Sequence, residues 1–449
     1  MNKNVNLLSG SIVGALTKLA LPIMATSFLQ TGYNLIDMIW IGRVGSDAVA
    51  AVGVGSMYVW FANGLITIIK IGGQVKVGQN LGAKREEDAL VFAKGAFQIA
   101  VVAAIVWGIL SVMFREVMVG FFLLDNQDIV RNAQIYIVIT CGCIFFNYMN
   151  QIFTGIWTAI GNSKVTLLAT LIGLSLNIVL DPVLIFGLGP FPELGVAGAA
   201  LATVFAQFIV FVVFCVVSKK ETIIYSKFTN VCSIEWGKIK EIVHIGFPAG
   251  IQSMMFTTIS IILSRMITSF GDVAIAVQKV GTQVESISYM TAEGFATAIN
   301  SFTAQNYGAK QQKRVNQGYM TAITIMILWG IFTSFMLIVF PAQIFRIFIQ
   351  EEEMLQMGVD YLRIMGYSQI PMCVELATAG AFQGLGKTKP PSINSIILTG
   401  IRIPVAYFLC QTSLGLNGIW WTITLSALAK GIVLPILFMI ERKKSPQLV

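Results

Sequence analysis

Charged side chains are scarce in this sequence. Only 12% of its 449 residues are Asp, Glu, Lys or Arg, whereas 56% are hydrophobic. A soluble globular chain carries about 25% charged residues, so this chain lacks the polar side chains needed to cover a water-soluble surface. Apolar runs of roughly 20 residues, the length that crosses a bilayer as a helix, recur along the whole chain. We therefore predict an all-α polytopic membrane protein.

Groups for catalysis and cofactor binding are also few. The sequence has one histidine, His244, and its six cysteines form no CxxC pair. It contains no HExxH motif, no Walker A phosphate loop and no GxSxG-type nucleophile with a histidine partner. We therefore expect no enzymatic activity and no bound metal or cofactor. Without an ATP-binding motif, any transport must draw its energy from an ion gradient.

The apolar runs predict twelve transmembrane helices. We expect them, with loose boundaries, at 13–40, 48–72, 92–114, 132–158, 164–187, 196–218, 242–269, 274–302, 317–340, 358–384, 391–413 and 416–440. Lysine and arginine concentrate in one set of loops and at both ends of the chain, whereas the other loops hold only Arg43, Arg115, Arg131 and Arg346. The positive-inside rule then places both termini in the cytoplasm.

The net charge of +8 is explained by this loop bias, and no recognition motif for nucleic acid accompanies it. The first ten residues, MNKNVNLLSG, are polar and lead into an apolar run too long for a cleavable signal peptide. We expect a multi-pass protein of the plasma membrane, surrounded by membrane lipid, and a monomer.

The chain repeats itself. "GQNLGAK" returns as "AQNYGAK", "ALPIMATSF" as "GFPAGIQSM", and "GSDAVAAVGVG" as "GDVAIAVQKVG", each after the same number of residues. Each half then holds six helices, an even number, so both halves have the same orientation in the membrane. We predict two parallel six-helix lobes around a central cavity: residues 1–218, a cytoplasmic linker at 219–241, and residues 242–449. Rocking of one lobe against the other would give alternating access.

With these motifs in this order, the chain resembles the multidrug and toxic compound extrusion (MATE) family over essentially its whole length. The resemblance rests on "NLIDMIWIG", "GQNLGAK", "NIVLDPVLIFG" and "AQNYGAK". It implies efflux of organic, often cationic, drug-like compounds driven by inward H⁺ or Na⁺. The resemblance is to the DinF-like branch, whose helix 1 Asp and helix 5 Asn-x-x-x-Asp correspond to Asp37 and to Asn177 with Asp181. At the second-lobe acids of NorM-like members, this chain has Phe256 and Met372.

Two carboxylates lie in apolar segments of the first lobe. A charged side chain at the centre of a membrane helix costs about 2.5–3.5 kcal/mol on insertion scales, so such residues usually serve ion pathways. In the repeat, Asp37 corresponds to Leu263 and Asp181 lies near the position of Ile403, so the shared scaffold needs neither acid. We therefore predict that Asp37, Asn177 and Asp181 form the ion-coupling site, with H⁺ or Na⁺ as the ion.

Polar side chains on helices 1, 4 and 6 are placed to satisfy these acids. At helical spacing they form stripes that we expect to converge inside the first lobe, since unpaired polar groups in hydrocarbon are costly. The stripes consist of Gln30, Tyr33, Asn34, Asn147, Asn150, Gln151, Thr154, Thr203 and Gln207. Pro182, directly after Asp181, predicts either a broken helix or a static kink.

The second lobe offers further candidates for substrate contact. Methionine and aromatic side chains suit promiscuous ligands, and acids could attract a cationic compound. The candidates are Gln252, Met255, Phe256, Glu285, Glu293 and Glu375. Two other functions stay open. One is a flippase of lipid-linked or amphipathic precursors, and the other is an ion channel, which a duplicated two-lobe chain suits less well than alternating access.

Overall fold

The computed structural model describes residues 4–122, 124, 126–221, 224–225, 235–348 and 351–444, without the side chains of residues 272, 353, 443 and 444. Within these ranges the chain forms helices and no β-strand. The first half contains α1 (Ile12–Val44), α2 (Ser46–Gly82), α3 (Glu86–Met113), α4 (Arg115–Gly120), α5 (Gln127–Gly142), α6 (Phe145–Ile160), α7 (Ser163–Phe186) and α8 (Val196–Ser218). The second half contains α9 (Trp236–Thr268), α10 (Asp272–Gly308), α11 (Gln312–Val339), α12 (Pro341–Arg346), α13 (Glu352–Gly366), α14 (Gln369–Gly384), α15 (Lys389–Gly400), α16 (Arg402–Leu409) and α17 (Leu416–Lys444).

The predicted all-α membrane protein is confirmed, and each predicted span falls on helical residues. In the described part of the chain, nine segments are long and apolar enough to cross a membrane, or ten if α5 and α6, bent by 45°, form one span. Two of the predicted spans do not qualify as membrane-crossing helices by length and composition. They are the span on α10, which carries Lys279, Glu285 and Glu293, and the span on the α13–α14 pair. At 15 and 16 residues, α13 and α14 are each about 23 Å long, shorter than the bilayer core of about 30 Å.

The internal repeat is visible in the backbone. Helices α1 and α9 have 33 residues each, α2 and α10 have 37 each, and α3 and α11 have 28 each. Lys84 and Lys310, which end the two copies of the QNxGAK motif, share a left-handed φ of 57°. A non-glycine residue rarely adopts this conformation, and its recurrence at matched positions shows that each motif closes its helix in the same way.

The compact units do not follow the predicted lobe boundaries. One unit, here called unit 1, comprises Met1–Val5 and Leu21–Gly250, and unit 2 comprises Asn6–Ala20 and Ile251–Val449. The first half of α9 therefore belongs to unit 1 and the first turns of α1 to unit 2. Of the predicted linker 219–241, residues 222–223 and 226–234 lie outside the described residues.

Close helix packing explains why α9 begins in unit 1. Gly246 lies directly against the backbone carbonyl of Ile68 on α2, and Gly72 of α2 lies against the carbonyl of Ile242. A side chain at either glycine would separate the two backbones. The first residues of α9 are therefore part of the packed core of unit 1.

Hydrogen bonds to backbone carbonyls hold the residues before α1 in unit 2. The Arg314 guanidinium donates to the carbonyls of Leu7 at 3.1 Å, Ser9 at 3.1 Å and Gly10 at 3.0 Å. Asn306, in the second copy of the QNxGAK motif, donates to the same Leu7 carbonyl at 3.0 Å. These four bonds satisfy carbonyl groups that lie outside any helix.

The helix that carries Asp181 is continuous. Helix α7 runs from Ser163 to Phe186 with Pro182 inside it, so the predicted break is absent from this helix. The corresponding segment of the second half is divided at Ile401, between α15 and α16, three residues before Pro404. The shared proline therefore does not decide where the helix breaks.

Candidate functional site

The two first-lobe acids meet inside unit 1. Asp181 is fully buried on α7, and Asn177, one turn earlier, donates from Nδ2 to its Oδ1 at 2.7 Å. The Asp37 carboxyl group, on α1, lies near enough to that of Asp181 for the two groups to interact. Two carboxylates in such proximity repel each other, and protonation of one of them removes this repulsion. We call Asp37 and Asp181 the acid pair.

Two tyrosines lie beside the acid pair. The Tyr33 hydroxyl shares a hydrogen bond of 3.2 Å with Thr203 Oγ1, linking α1 to α8. Tyr136 on α5 is near enough to interact with both acids and with Ser56 on α2. Sequence reasoning missed Tyr136. The signal was available, because Tyr136 continues the Asn147 stripe of the fourth predicted span at helical spacing.

A small cavity of about 50 Å³ lies between α2, α5, α6 and α8. Polar and apolar side chains both line it: Val59, Tyr136, Thr140, Cys143, Ile144, Asn147, Thr203, Val204 and Gln207. The buried Asn147 Oδ1 has no hydrogen-bond partner among the described residues. A cavity of this size has room for a water molecule, which could satisfy such an atom.

Other predicted supporting residues form contacts at a greater distance from the acids. Asn150 donates to the Gln207 backbone carbonyl at 2.9 Å and to its Oε1 at 2.8 Å. Gln151 accepts a hydrogen bond of 2.8 Å from Lys70. Thr154 accepts, through its carbonyl, a bond of 2.7 Å from Thr158. The stripes of α6 and α8 therefore converge as predicted.

The polar stripe on α1 reaches the acid pair only in part. Gln30 and Asn34, both on α1, are exposed, whereas Tyr33 on the same helix is buried. The structure records no contact from Gln30 or Asn34 to the acid pair. The helix face that meets α7 and α8 is therefore the one carrying Tyr33 and Asp37.

The charge around the acid pair is negative. Among the described residues, no lysine or arginine is recorded as interacting with Asp37 or Asp181. A buried acid without a basic partner is stabilised by protonation or by a bound cation. The described residues contain no cluster of three or more His, Cys, Asp and Glu side chains suited to a metal ion. An acid pair without a basic partner can bind a proton or a cation.

The second-half candidates are arranged differently. Glu375 forms an ion pair with Lys430, and Glu285 contacts the Tyr361 hydroxyl. Glu293 is exposed on α10 and interacts with Tyr289. On α9, Met255 and Phe256 are exposed and Gln252 is half-buried. From the sequence, Glu375 was a candidate for attracting a cationic substrate. The ion pair with Lys430 neutralises its charge, so Glu375 is less suited to that role.

Comparison with known proteins identifies the family. The MatE family profile matches residues 22–183 and 248–408, and the two matches begin at the paired prolines of the repeat. The "Probable multidrug resistance protein NorM" of Thermotoga maritima is 27% identical over 413 residues, which cover 90% of this chain and 87% of that protein. The "FAD transporter" of Shewanella oneidensis is 21% identical over 440 residues, covering 96% and 95%.

A solved structure described as the outward-facing conformation of a multidrug resistance MATE family transporter has the same fold. Its TM-score is 0.89 at 24% sequence identity, over 99% of both chains. The resemblance to the MATE family that the sequence motifs indicate is confirmed. Because the profile matches both halves of the repeat and most of the chain, this protein belongs to the MatE family, a family of membrane transporters and not of enzymes.

Proposed function

We propose that the protein is an antiporter that exports organic, drug-like compounds in exchange for inward H⁺ or Na⁺, and that Asp37, Asn177 and Asp181 form its ion-coupling site. The observation that carries the proposal is the proximity of the half-buried Asp37 to the buried Asp181, with no basic partner recorded among the described residues. A proton shared by such a pair titrates with both acids together. Gain or loss of one positive charge then changes the interactions of α1 with α7.

The polar surroundings support this role. Asn177 holds one oxygen of Asp181, whereas Oδ2 of Asp181 and Oδ1 of Asp37 are buried without a donor. These two oxygens are the positions at which a proton or a cation would be bound. The hydrogen bond between Tyr33 and Thr203 connects α1 to α8, so a movement of α1 at the acid pair would also displace α8.

The substrate is proposed as cationic because the site that couples the ion is itself acidic. A compound and a proton that compete for one negative charge are exchanged, since binding of either one disfavours the other. Names of relatives that include a multidrug resistance protein and an FAD transporter are consistent with a broad range of compounds. From the loop charges described above, we further infer a plasma-membrane protein with both termini in the cytoplasm. That the protein is a monomer stays a prediction.

Transport by inside-out membrane vesicles tests the proposal. Vesicles with an acidic lumen should accumulate a cationic dye, because protons leaving the lumen drive the dye inward. A parallel sample with an outward Na⁺ gradient and no pH difference measures the alternative ion. Collapse of each gradient with an ionophore is the control. Absence of dye uptake under both gradients, with the protein correctly folded in the vesicles, would overturn antiport.

A further inference from the structure

Unit 2 contains a buried cluster of opposite charges that the proposed antiport cycle does not use. It consists of Glu285 on α10, Tyr361 on α13, Glu375 on α14, Arg402 on α16 and Lys430 on α17. Lys430, Arg402 and Glu375 are 5%, 7% and 8% exposed. We call these five residues the mixed-charge cluster. It joins two acids to two bases, whereas the acid pair of unit 1 has no base.

Stability does not account for such a cluster. Each ionised side chain costs about 2.5–3.5 kcal/mol in the centre of a membrane helix. Buried ion pairs can often be replaced by apolar residues without loss of stability. The four charged groups of the cluster are therefore candidates for ligand binding.

The guanidinium of Arg402 is held in one orientation with its outer nitrogens unused. Its Nε donates to Ser426 Oγ at 2.9 Å, and Ser426 donates in turn to the Leu398 carbonyl at 2.8 Å. Glu285 and Glu375 interact with Arg402 through their charge. Within the described part of the chain, however, no hydrogen bond is recorded from its Nη groups. Two Nη groups fixed side by side match the two oxygens of a carboxylate.

Both acids of the cluster have other partners. Glu375 Oε1 lies 3.2 Å from Lys430 Nζ. Glu285 contacts the Tyr361 hydroxyl, and its Oε1 is buried without a hydrogen-bond partner in the described structure. The other titratable groups near these acids are Tyr289, which interacts with Glu375, and Glu293 farther along α10. Arg402 is thus neutralised by nearby charge, but its outer hydrogen-bonding positions are left for a ligand.

Charge balance selects the ligand. With all four groups ionised the cluster is neutral, so binding of a cation or of a proton alone would leave a buried positive charge, and binding of an anion alone would leave a negative one. A carboxylate bound together with one proton keeps the sum at zero. Glu285, with one oxygen unsatisfied and Arg402 as neighbour, is the group placed to take that proton.

The sequence repeat supports a difference between the halves. Arg402 lies two residues before Pro404, and Asp181 lies directly before the matched Pro182. The helix that places an acid in unit 1 therefore places a base in unit 2, at a neighbouring position. One scaffold thus offers a site for positive charge in one unit and for negative charge in the other.

We propose that Arg402 binds the carboxylate group of transported compounds, and that Glu285 takes up a proton when that carboxylate binds. The inference rests on the proposed export of organic compounds and extends its substrates from cations to carboxylate-bearing molecules. Tyr361 and Ser426 act as positioning residues, because they hold the Glu285 carboxyl group and the Arg402 guanidinium.

A matched pair of dyes with the same aromatic core tests the proposal, one a cationic ester and the other its free carboxylic acid. Arg402→Gln should raise the concentration needed for half-maximal export of the acid dye about 10- to 100-fold, as expected for loss of a charged bidentate contact. Arg402→Lys, which keeps the charge and loses the planar fork, should fall between this variant and the wild type. Export of the ester should change less than about twofold.

Glu285→Gln is expected to change binding of the acid dye in the opposite direction. Because glutamine is neutral like the protonated acid, this variant should bind the acid dye more tightly than the wild type and should lose the pH dependence of that binding. Arg363→Gln, an exposed base on α13, is the matched control and should leave both dyes unaffected. Size-exclusion profiles and thermal unfolding of the purified variants verify folding.

Three results would overturn the inference. The first is that well-folded Arg402→Gln protein loses export of both dyes equally. The second is that Glu285→Gln binds the acid dye more weakly than the wild type, and the third is that the wild type does not bind the acid dye at all. If the wild type still exports the ester, the proposed antiport stands and only the carboxylate site falls. If neither dye is exported under any gradient, the proposed function itself is wrong.

Discussion

Asparagine at position 181 should reduce gradient-driven dye efflux to the level of vesicles without the protein. The change removes the only titratable group that Asp37 contacts on α7, while preserving size and hydrogen bonding to Asn177. Without a second carboxyl group, the pair cannot share and release a proton as the cycle turns. Asp37→Asn should have the same effect, and the double variant should be no worse than either one, since both remove the same function. Dye uptake into inside-out vesicles measures the loss.

The matched control is Asp47→Asn. Asp47 is an exposed acid in the first turn of α2 that accepts a hydrogen bond from Asn126, away from the acid pair. Its replacement should leave efflux unchanged. Wild-type efflux by both Asp37→Asn and Asp181→Asn would reject the ion-coupling role of these residues and leave them a bracing function in the helix bundle.

Valine in place of Gly246 should prevent most of the protein from folding. A Cβ atom at this position would fall on the backbone carbonyl of Ile68, and neither backbone can rotate away as a side chain can. Overpacking a core typically costs about 1–3 kcal/mol and more where the backbone must shift. The separation of α9 from α2 should also disturb Gly72, which packs against Ile242 in the same contact. The yield of monodisperse protein on size exclusion measures the effect.

Gly237 on the same helix provides the comparison. It is exposed and has no neighbouring atom within the reach of an added Cβ. Gly237→Val should give a normal yield, and a slight gain in stability is expected because glycine is a poor helix former. Equal yields from the two variants would show that the contact between α9 and α2 contributes little to folding.

The fold was largely readable from the sequence because membrane helices must be apolar along most of their length. Hydropathy and the repeat predicted twelve spans, of which nine or ten qualify by length and composition in the described residues. The matched φ angles at Lys84 and Lys310 show that the repeated motif is a backbone feature. The breaks between α5 and α6 and between α15 and α16 were not predicted. Proline was the only breaker considered, yet α7 continues through Pro182, and the α5–α6 bend follows Gly142 without any proline. Such breaks depend on packing against neighbouring helices, which hydropathy does not report.

The first-lobe acids were predicted because an acid in hydrocarbon is conspicuous in a sequence. Their meeting could be expected from helix periodicity, and the same periodicity, continued from Asn147 towards the start of its span, would have included Tyr136. The mixed-charge cluster was missed for another reason. A sequence does not show which helix faces meet, whereas the structure places Lys430 beside Glu375 and Arg402 near both Glu375 and Glu285.

The membership of helix segments in the compact units has a consequence for how the chain can be divided. A fragment that stops at residue 218 would lack the start of α9 that packs on α2, and the complementary fragment would lack the segment before Ala20 that Arg314 holds. Neither half of the repeat therefore contains all the segments of one compact unit.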